Sequence, residues 1–177
     1  MELEKENLLK SVIRDIPDFP VEGILFRDLT TAFKNPDALR IMSEELKKLY
    51  ADKGRTKVVG IESRGFIAGA ILAHDLNAGF VPVRKPGKLP ADTIKQSYTK
   101  EYGVDTIEIH SDAIDENDVV VLHDDLLATG GTMAAAYELV KSMNPKKIYI
   151  NFIVELSELN GGAAFPADVV VESLIVY

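Results

Sequence analysis

The sequence contains no cysteine, which removes disulfides and thiolate chemistry and fits a reducing compartment. It has no excess of positive charge: 20 lysines and arginines stand against 28 aspartates and glutamates, a net charge of −8. A nucleic-acid binder would carry a basic surface, so no nucleic acid is expected as a partner. A small anionic ligand stays admissible, because it needs only a local group of cations or amide donors. No apolar run approaches the length of a membrane span, so no membrane partner is expected. Residues 1–15 carry charges throughout and lack the apolar stretch of a signal peptide, which points to a cytoplasmic location. No internal repeat, linker or biased segment interrupts the chain. What is present is 177 residues, 46% of them hydrophobic, enough for one domain (residues 1–177) with a sizeable core.

Leu8, Leu9, Val12, Ile13 and Ile16 recur at helical spacing and predict a short amphipathic helix over residues 3–16. Pro17, Pro20 and Gly23 break the next segment. Asn35 and Pro36 predict a helix start, as N-cap and first helical residue. Leu39, Met42, Leu46, Leu49 and Tyr50 form that helix's apolar stripe, and Gly54 ends it. Lys57–Ile61 reads as a buried strand, residues 66–77 as a helix, and Gly79–Val83 as the next strand. Residues 84–104 are charged, with little apolar pattern, and predict a long loop without regular structure. Residues 106–110 predict a strand, and residues 119–122 one covered on both faces. A helix with Met133, Ala136, Leu139 and Val140 on one face follows, then strands over 147–154 and 169–176. Strands alternating with helices predict an α/β fold with a mainly parallel central sheet flanked by helices.

Residues 119–132, VVVLHDDLLATGGT, concentrate the chemistry. A buried strand runs into two adjacent carboxylates, Asp124 and Asp125. Next comes a turn of small residues, Ala128, Thr129, Gly130, Gly131 and Thr132, which opens a helix. In open α/β sheets ligands bind beyond the carboxyl ends of the strands. Glycines let a phosphate approach the backbone, and the helix start offers free N–H groups. The two carboxylates would repel that phosphate, so they need another partner, such as ribose hydroxyls with Mg²⁺ nearby. An Asp-Asp and Gly-Gly pattern by itself fits an ordinary capped turn equally well. The turn is neither a Walker A loop nor a GxGxxG motif.

The complete run resembles the phosphoribosyl diphosphate (PRPP) binding motif of the type I phosphoribosyltransferases. Three further segments are similar to the adenine-using members of that family, so the resemblance covers nearly the whole chain. DFPVEGILFRD at 18–28 resembles their N-terminal purine-binding segment, and IESRGFIAGA at 61–70 their diphosphate loop. RKPGKLP at 84–90 and SYTKEYG at 97–103 resemble the two ends of their mobile catalytic loop.

The resemblance implies transfer of a phosphoribosyl group from PRPP to adenine, giving AMP and diphosphate, through an oxocarbenium-like transition state. Mg²⁺ is the implied cofactor, carried by PRPP with no direct protein ligand. A homodimer is implied as well. Residues 128–132 would hold the 5′-phosphate, and Asp124 and Asp125 the ribose. Arg64, Arg84 and Lys88 would face the diphosphate. Tyr102 would contact PRPP or AMP, and Glu101 would serve as acid/base. Leu25, Phe26 and Arg27 would bind adenine. Read without the resemblance, Arg64 fits a surface ion pair at a capped helix start, Glu101 a surface carboxylate, and Phe26 the core.

The chain departs from the family pattern at three places. Glu22 stands where a proline is usual, and Gly161-Gly162 where Gly-Arg is common. His123 stands where an apolar residue is usual, and is read as half-buried and bonded to a neighbour. His74, His110 and His123 show no zinc-site spacing. Two alternatives stay open: the same reaction on another base, and a PRPP-sensing regulator without turnover. The latter should carry a nucleic-acid-binding segment or a degraded catalytic loop.

Overall fold

Helix α1 (Leu3–Val12) opens the computed structural model, which describes residues 1–54, 56–100 and 103–177, and of Lys100 the backbone alone. The helix stops four residues before the position predicted from its apolar spacing. Pro17 disfavours helical geometry at Ile16, and Arg14–Ile16 instead forms strand β1, antiparallel to β2 (Phe26–Asp28). The Arg14 guanidinium donates to Asp28 across this pair, from Nη2 at 2.5 Å and from Nε at 3.2 Å. A short helix α2 (Thr30–Phe33) precedes α3 (Pro36–Tyr50). The Asn35 side chain caps α3 by accepting from the amides of Asp37 and Ala38, as predicted. Met42, Leu46 and Tyr50 of its stripe are fully covered.

Strand β3 (Lys57–Ile61), helix α4 (Gly65–Asp75) and strand β4 (Gly79–Val83) follow, close to their predicted bounds. Residues 84–104 do not form a structureless loop throughout. Thr93–Lys100 is strand β5, paired antiparallel with β6 (Gly103–His110) from Thr93↔His110 to Lys100↔Gly103. Along β5, Ile94, Gln96 and Tyr98 are half-buried, while Lys95, Ser97 and Thr99 are exposed. The period is that of a strand, but a glutamine in the middle of the inner face erases the apolar signal.

Strand β7 (Val119–Leu127) continues five residues past its predicted end, through both aspartates. Helix α5 (Gly131–Lys141), strand β8 (Lys147–Glu155), two short 3₁₀ turns (Ser157–Leu159 and Gly161–Ala164) and strand β9 (Val171–Val176) complete the chain. The central sheet has the order β4-β3-β7-β8-β9 with every neighbouring pair parallel. One face packs on α5 and the β5–β6 hairpin, through residues such as Leu122, Ile150, Phe152 and Leu139. The other packs on α1, α3 and α4, through Leu9, Leu46, Leu72, Val121 and Ile153. The chain leaves β3 outward to β4 and later returns to β3's other side with β7. The gap beyond the carboxyl ends of β3 and β7 is therefore the switch point at which such sheets bind ligands. No helix of the described residues is long and apolar enough to cross a membrane.

Candidate active site

Two loops meet at that gap. After β3, Glu62, Ser63 and Arg64 turn the chain into α4, whose first residue, Gly65, lies against the end of β7. A Cβ there would come 2.9 Å from Oδ1 of Asp124 and 3.0 Å from the carbonyl oxygen of His123, so only glycine allows this approach. Arg64 Nε donates to Oδ2 of Asp125 at 2.5 Å. The Asp125 amide donates to Oδ1 of Asp124 at 2.9 Å. Burial, and then the charge of Asp125, push the Asp124 carboxyl well above the usual carboxylate range. Burial works against the charged form of Arg64, but the Asp125 hydrogen bond together with the charges of Asp125, Asp124 and Asp28 outweighs it and the guanidinium is raised.

Glu62, Ser63, Arg64, Asp124 and Asp125 line a cavity of about 250 Å³. Its wall carries three carboxylates and one guanidinium, a poor match for a bare polyanion and a good one for an anion that brings a hard cation with it. Among the described residues no group of three or more His, Asp or Glu side chains converges to hold a metal ion.

A second cavity, of about 110 Å³, adjoins it and is bounded by Asp124 and residues 126–133. Here β7 turns into α5. Gly130 takes the left-handed conformation, φ 82°, and a Cβ on it would meet the Gly161 carbonyl oxygen and the Ala164 side chain. A Cβ on Gly161 would in turn fall on the carbonyl oxygen of Ala128. Gly161, the first residue of the second 3₁₀ turn, thus backs the small-residue turn by glycine-to-glycine contact, whereas a Cβ on Gly162 would meet nothing. The amides at the start of α5 remain available to an anion.

Glu62 gathers the cations of the segment after β4. Its carboxylate accepts from Arg84 Nη2 at 3.1 Å and Nε at 3.3 Å, from the Lys85 amide at 3.0 Å and from Lys88 Nζ at 2.9 Å. The Arg84 hydrogen bonds, with those of Lys88 and the Lys85 amide, hold Glu62 down at about 2. Lys85 Nζ turns away to Asp105. Arg84 and Lys88 are brought together on Glu62, which lines the first cavity. Glu62, which joins them, lies inside the 61–70 segment, but its side chain has no role that the segment's pattern reveals, because its partners come from the loop after β4.

In the segment 18–28, Phe26 stacks edge-on to Phe19 with centroids 5.1 Å apart, and the Arg64 guanidinium carbon lies 5.8 Å from the Phe26 ring. Leu25 is exposed. Arg27 is engaged elsewhere: it pairs with Asp15 and lies 4.0 Å over the Tyr177 ring. Glu101 and Tyr102 lie outside the described residues. His123 is fully buried rather than half-buried, because β7 is covered on both faces at that point. Its Nδ1 donates to Oδ1 of Asn151 at 2.5 Å, and burial holds the imidazole below its usual range.

Residues 30–163 match the model of the phosphoribosyl transferase domain family. The adenine phosphoribosyltransferase of Bacteroides thetaiotaomicron is 65% identical over 175 residues, covering 99% of each chain. The crystal structure of the Rhodothermus marinus adenine phosphoribosyltransferase superposes with a TM-score of 0.93 at 47% identity, over 99% of this chain and 100% of that one. The Saccharomyces cerevisiae enzyme, solved with adenine and an imino-altritol bisphosphate, gives 0.91 at 39% identity over 98% and 99%.

Proposed function

The chain belongs to the phosphoribosyl transferase family, and from that premise we propose that it transfers the phosphoribosyl group of PRPP to adenine, yielding AMP and diphosphate. It is a pentosyltransferase of purine salvage, and its 177 residues act as one domain. The observation that carries the site is the Asp124-Asp125 pair at the end of β7, set between the Arg64 turn and the start of α5. A ligand with a phosphate at one end, ribose hydroxyls in the middle and a diphosphate at the other matches that order of groups.

The roles follow from the chemistry of each wall. Amides of residues 128–132 and the hydroxyls of Thr129 and Thr132 hold the 5′-phosphate. Asp124 and Asp125 accept from the ribose hydroxyls, and their negative charge favours the cationic ribosyl group as the C1′–diphosphate bond breaks. Arg64, Arg84 and Lys88 receive the departing diphosphate. Arriving on PRPP, Mg²⁺ supplies the positive charge that the carboxylate-rich cavity lacks. Phe26 and Leu25 cover the adenine ring beside Arg64, and Arg27 donates to the ring once it leaves Asp15. N9 of adenine bonds to C1′ from the face opposite the diphosphate, and Glu101 takes or relays the proton that adenine loses. Tyr102, next to it, contacts PRPP or AMP. The reaction runs in the cytoplasm, in a homodimer.

Turnover with PRPP, Mg²⁺ and each of adenine, guanine, hypoxanthine, xanthine and orotate tests the reading. Adenine alone should yield its nucleotide at a high rate. A preference for another base would overturn the assignment of residues 18–28. Tight PRPP binding without turnover on any base would make the chain a sensor.

A further inference from the structure

The Tyr98 hydroxyl lies 3.0 Å from Thr132 Oγ1. Tyr98 belongs to β5, and Thr132 is the second residue of α5, so this bond joins the hairpin to the small-residue turn. The same hydroxyl lies 3.3 Å from Asp105 Oδ2, on the paired strand directly across from Tyr98. Asp105 in turn pairs with Lys85 Nζ, and the Lys85 amide donates to Glu62. A polar chain therefore runs from the 5′-phosphate side of the site, through Tyr98 and Asp105, to the Lys85 ammonium.

We infer that Tyr98 is a positioning residue for the reaction: its hydroxyl reports occupancy of the 5′-phosphate position, through Thr132, to the β5–β6 hairpin. The inference rests on the PRPP reading above.

The polarity of the bonds gives the mechanism. A threonine hydroxyl has one proton to donate. If Thr132 gives it to a phosphate oxygen, Thr132 Oγ1 must accept from Tyr98, and the Tyr98 proton is drawn away from Asp105. With no phosphate, the Tyr98 proton can point to Asp105 instead. A bound phosphate thus strengthens the Tyr98–Thr132 link, by charge along the chain of hydrogen bonds. It tightens the stem of the hairpin onto α5, where the Tyr98 ring already packs against the core.

The test is a double-mutant cycle of Tyr98→Phe with Thr132→Val, read as KM for PRPP, KM for adenine and kcat. Phenylalanine keeps the packed ring and removes only the hydroxyl. Tyr98→Phe should raise KM for PRPP by about tenfold, as loss of one charge-linked hydrogen bond does, and leave KM for adenine within twofold. In the Thr132→Val background the same change should cost less than about twofold. An equal cost in both backgrounds, or no effect of Tyr98→Phe on PRPP, overturns the inference. Titration with ribose 5-phosphate reads the contact without chemistry: weaker binding by Tyr98→Phe supports it, and unchanged binding overturns it. A wild type that binds ribose 5-phosphate but forms no AMP would sink the adenine reading alone. One that binds neither ribose 5-phosphate nor PRPP would sink both.

Discussion

Arg64 and Asp125 meet side chain to side chain at 2.5 Å, and this bond joins the turn after β3 to the end of β7. It spans the switch point of the sheet and fixes the guanidinium on the wall of the larger cavity. Asp125 is almost fully covered there, with 3% of its side chain exposed. Replacing Arg64 by alanine strands a buried carboxylate, so the change should both destabilise the fold, by about 3 kcal/mol, and raise KM for PRPP. Arg64→Lys keeps the charge without the fork and should recover stability better than affinity. Urea unfolding alongside steady-state kinetics separates the two effects.

Asp124 carries a cost in stability when charged. Its carboxyl binds a proton more tightly in the folded chain than the ordinary value of 3.8. Folded-state stability therefore falls as pH rises from that value through the raised one. Asp124→Asn removes the cost and keeps an Oδ1 acceptor for the Asp125 amide. The variant should melt a few degrees higher than wild type at neutral pH, with the difference vanishing near pH 4. Its turnover should fall by about 10² or more. Calorimetric scans across pH check the first expectation, and AMP formation the second.

Glu62 has the opposite sign. Its folded value, about 2, lies below the ordinary 4.5. The stability it contributes is complete above pH 4.5 and is lost as pH falls toward 2. Glu62→Gln should unfold at lower urea than wild type at pH 7, by up to about 1 kcal/mol given partial solvent screening. The gap should shrink steadily in acid. A gap independent of pH would show that the Arg84 and Lys88 contacts carry no charge-dependent stability.

Gly161 and Gly162 separate packing from mere sequence position. Gly161→Ala drives a methyl onto the Ala128 carbonyl and should raise KM for PRPP by about tenfold, at an overpacking cost of about 1–3 kcal/mol. Gly162→Ala meets open space and should leave KM unchanged. Equal effects of the two would contradict the buttress.

The order of strands and helices was legible because each buried strand is short, apolar and bounded by turn residues, as at Lys57–Ile61. The α1 end was misread because Ile13 and Ile16 continue the apolar spacing, while Pro17 and the Arg14–Asp28 pair decide the backbone. Strand β5 hid behind Gln96. At the site, Asp124, Asp125 and residues 128–132 were visible because strand, acid pair and glycine turn are contiguous. The contacts made by Glu62, Tyr98 and Gly161 were not, since each acts through a partner at least twenty residues away. The Arg27 contacts with Asp15 and Tyr177 are likewise tertiary and leave no local pattern.

The carboxylate pair at the end of β7 is the centre of the proposed site. Its most direct test is AMP formation from adenine, PRPP and Mg²⁺ by wild type beside the Asp124→Asn/Asp125→Asn double variant. Wild type should form AMP and diphosphate in equal amounts, and the folded double variant should lose at least about 10² in rate. A double variant that folds and still turns over at the wild-type rate would contradict the site, wherever the reaction then proved to occur.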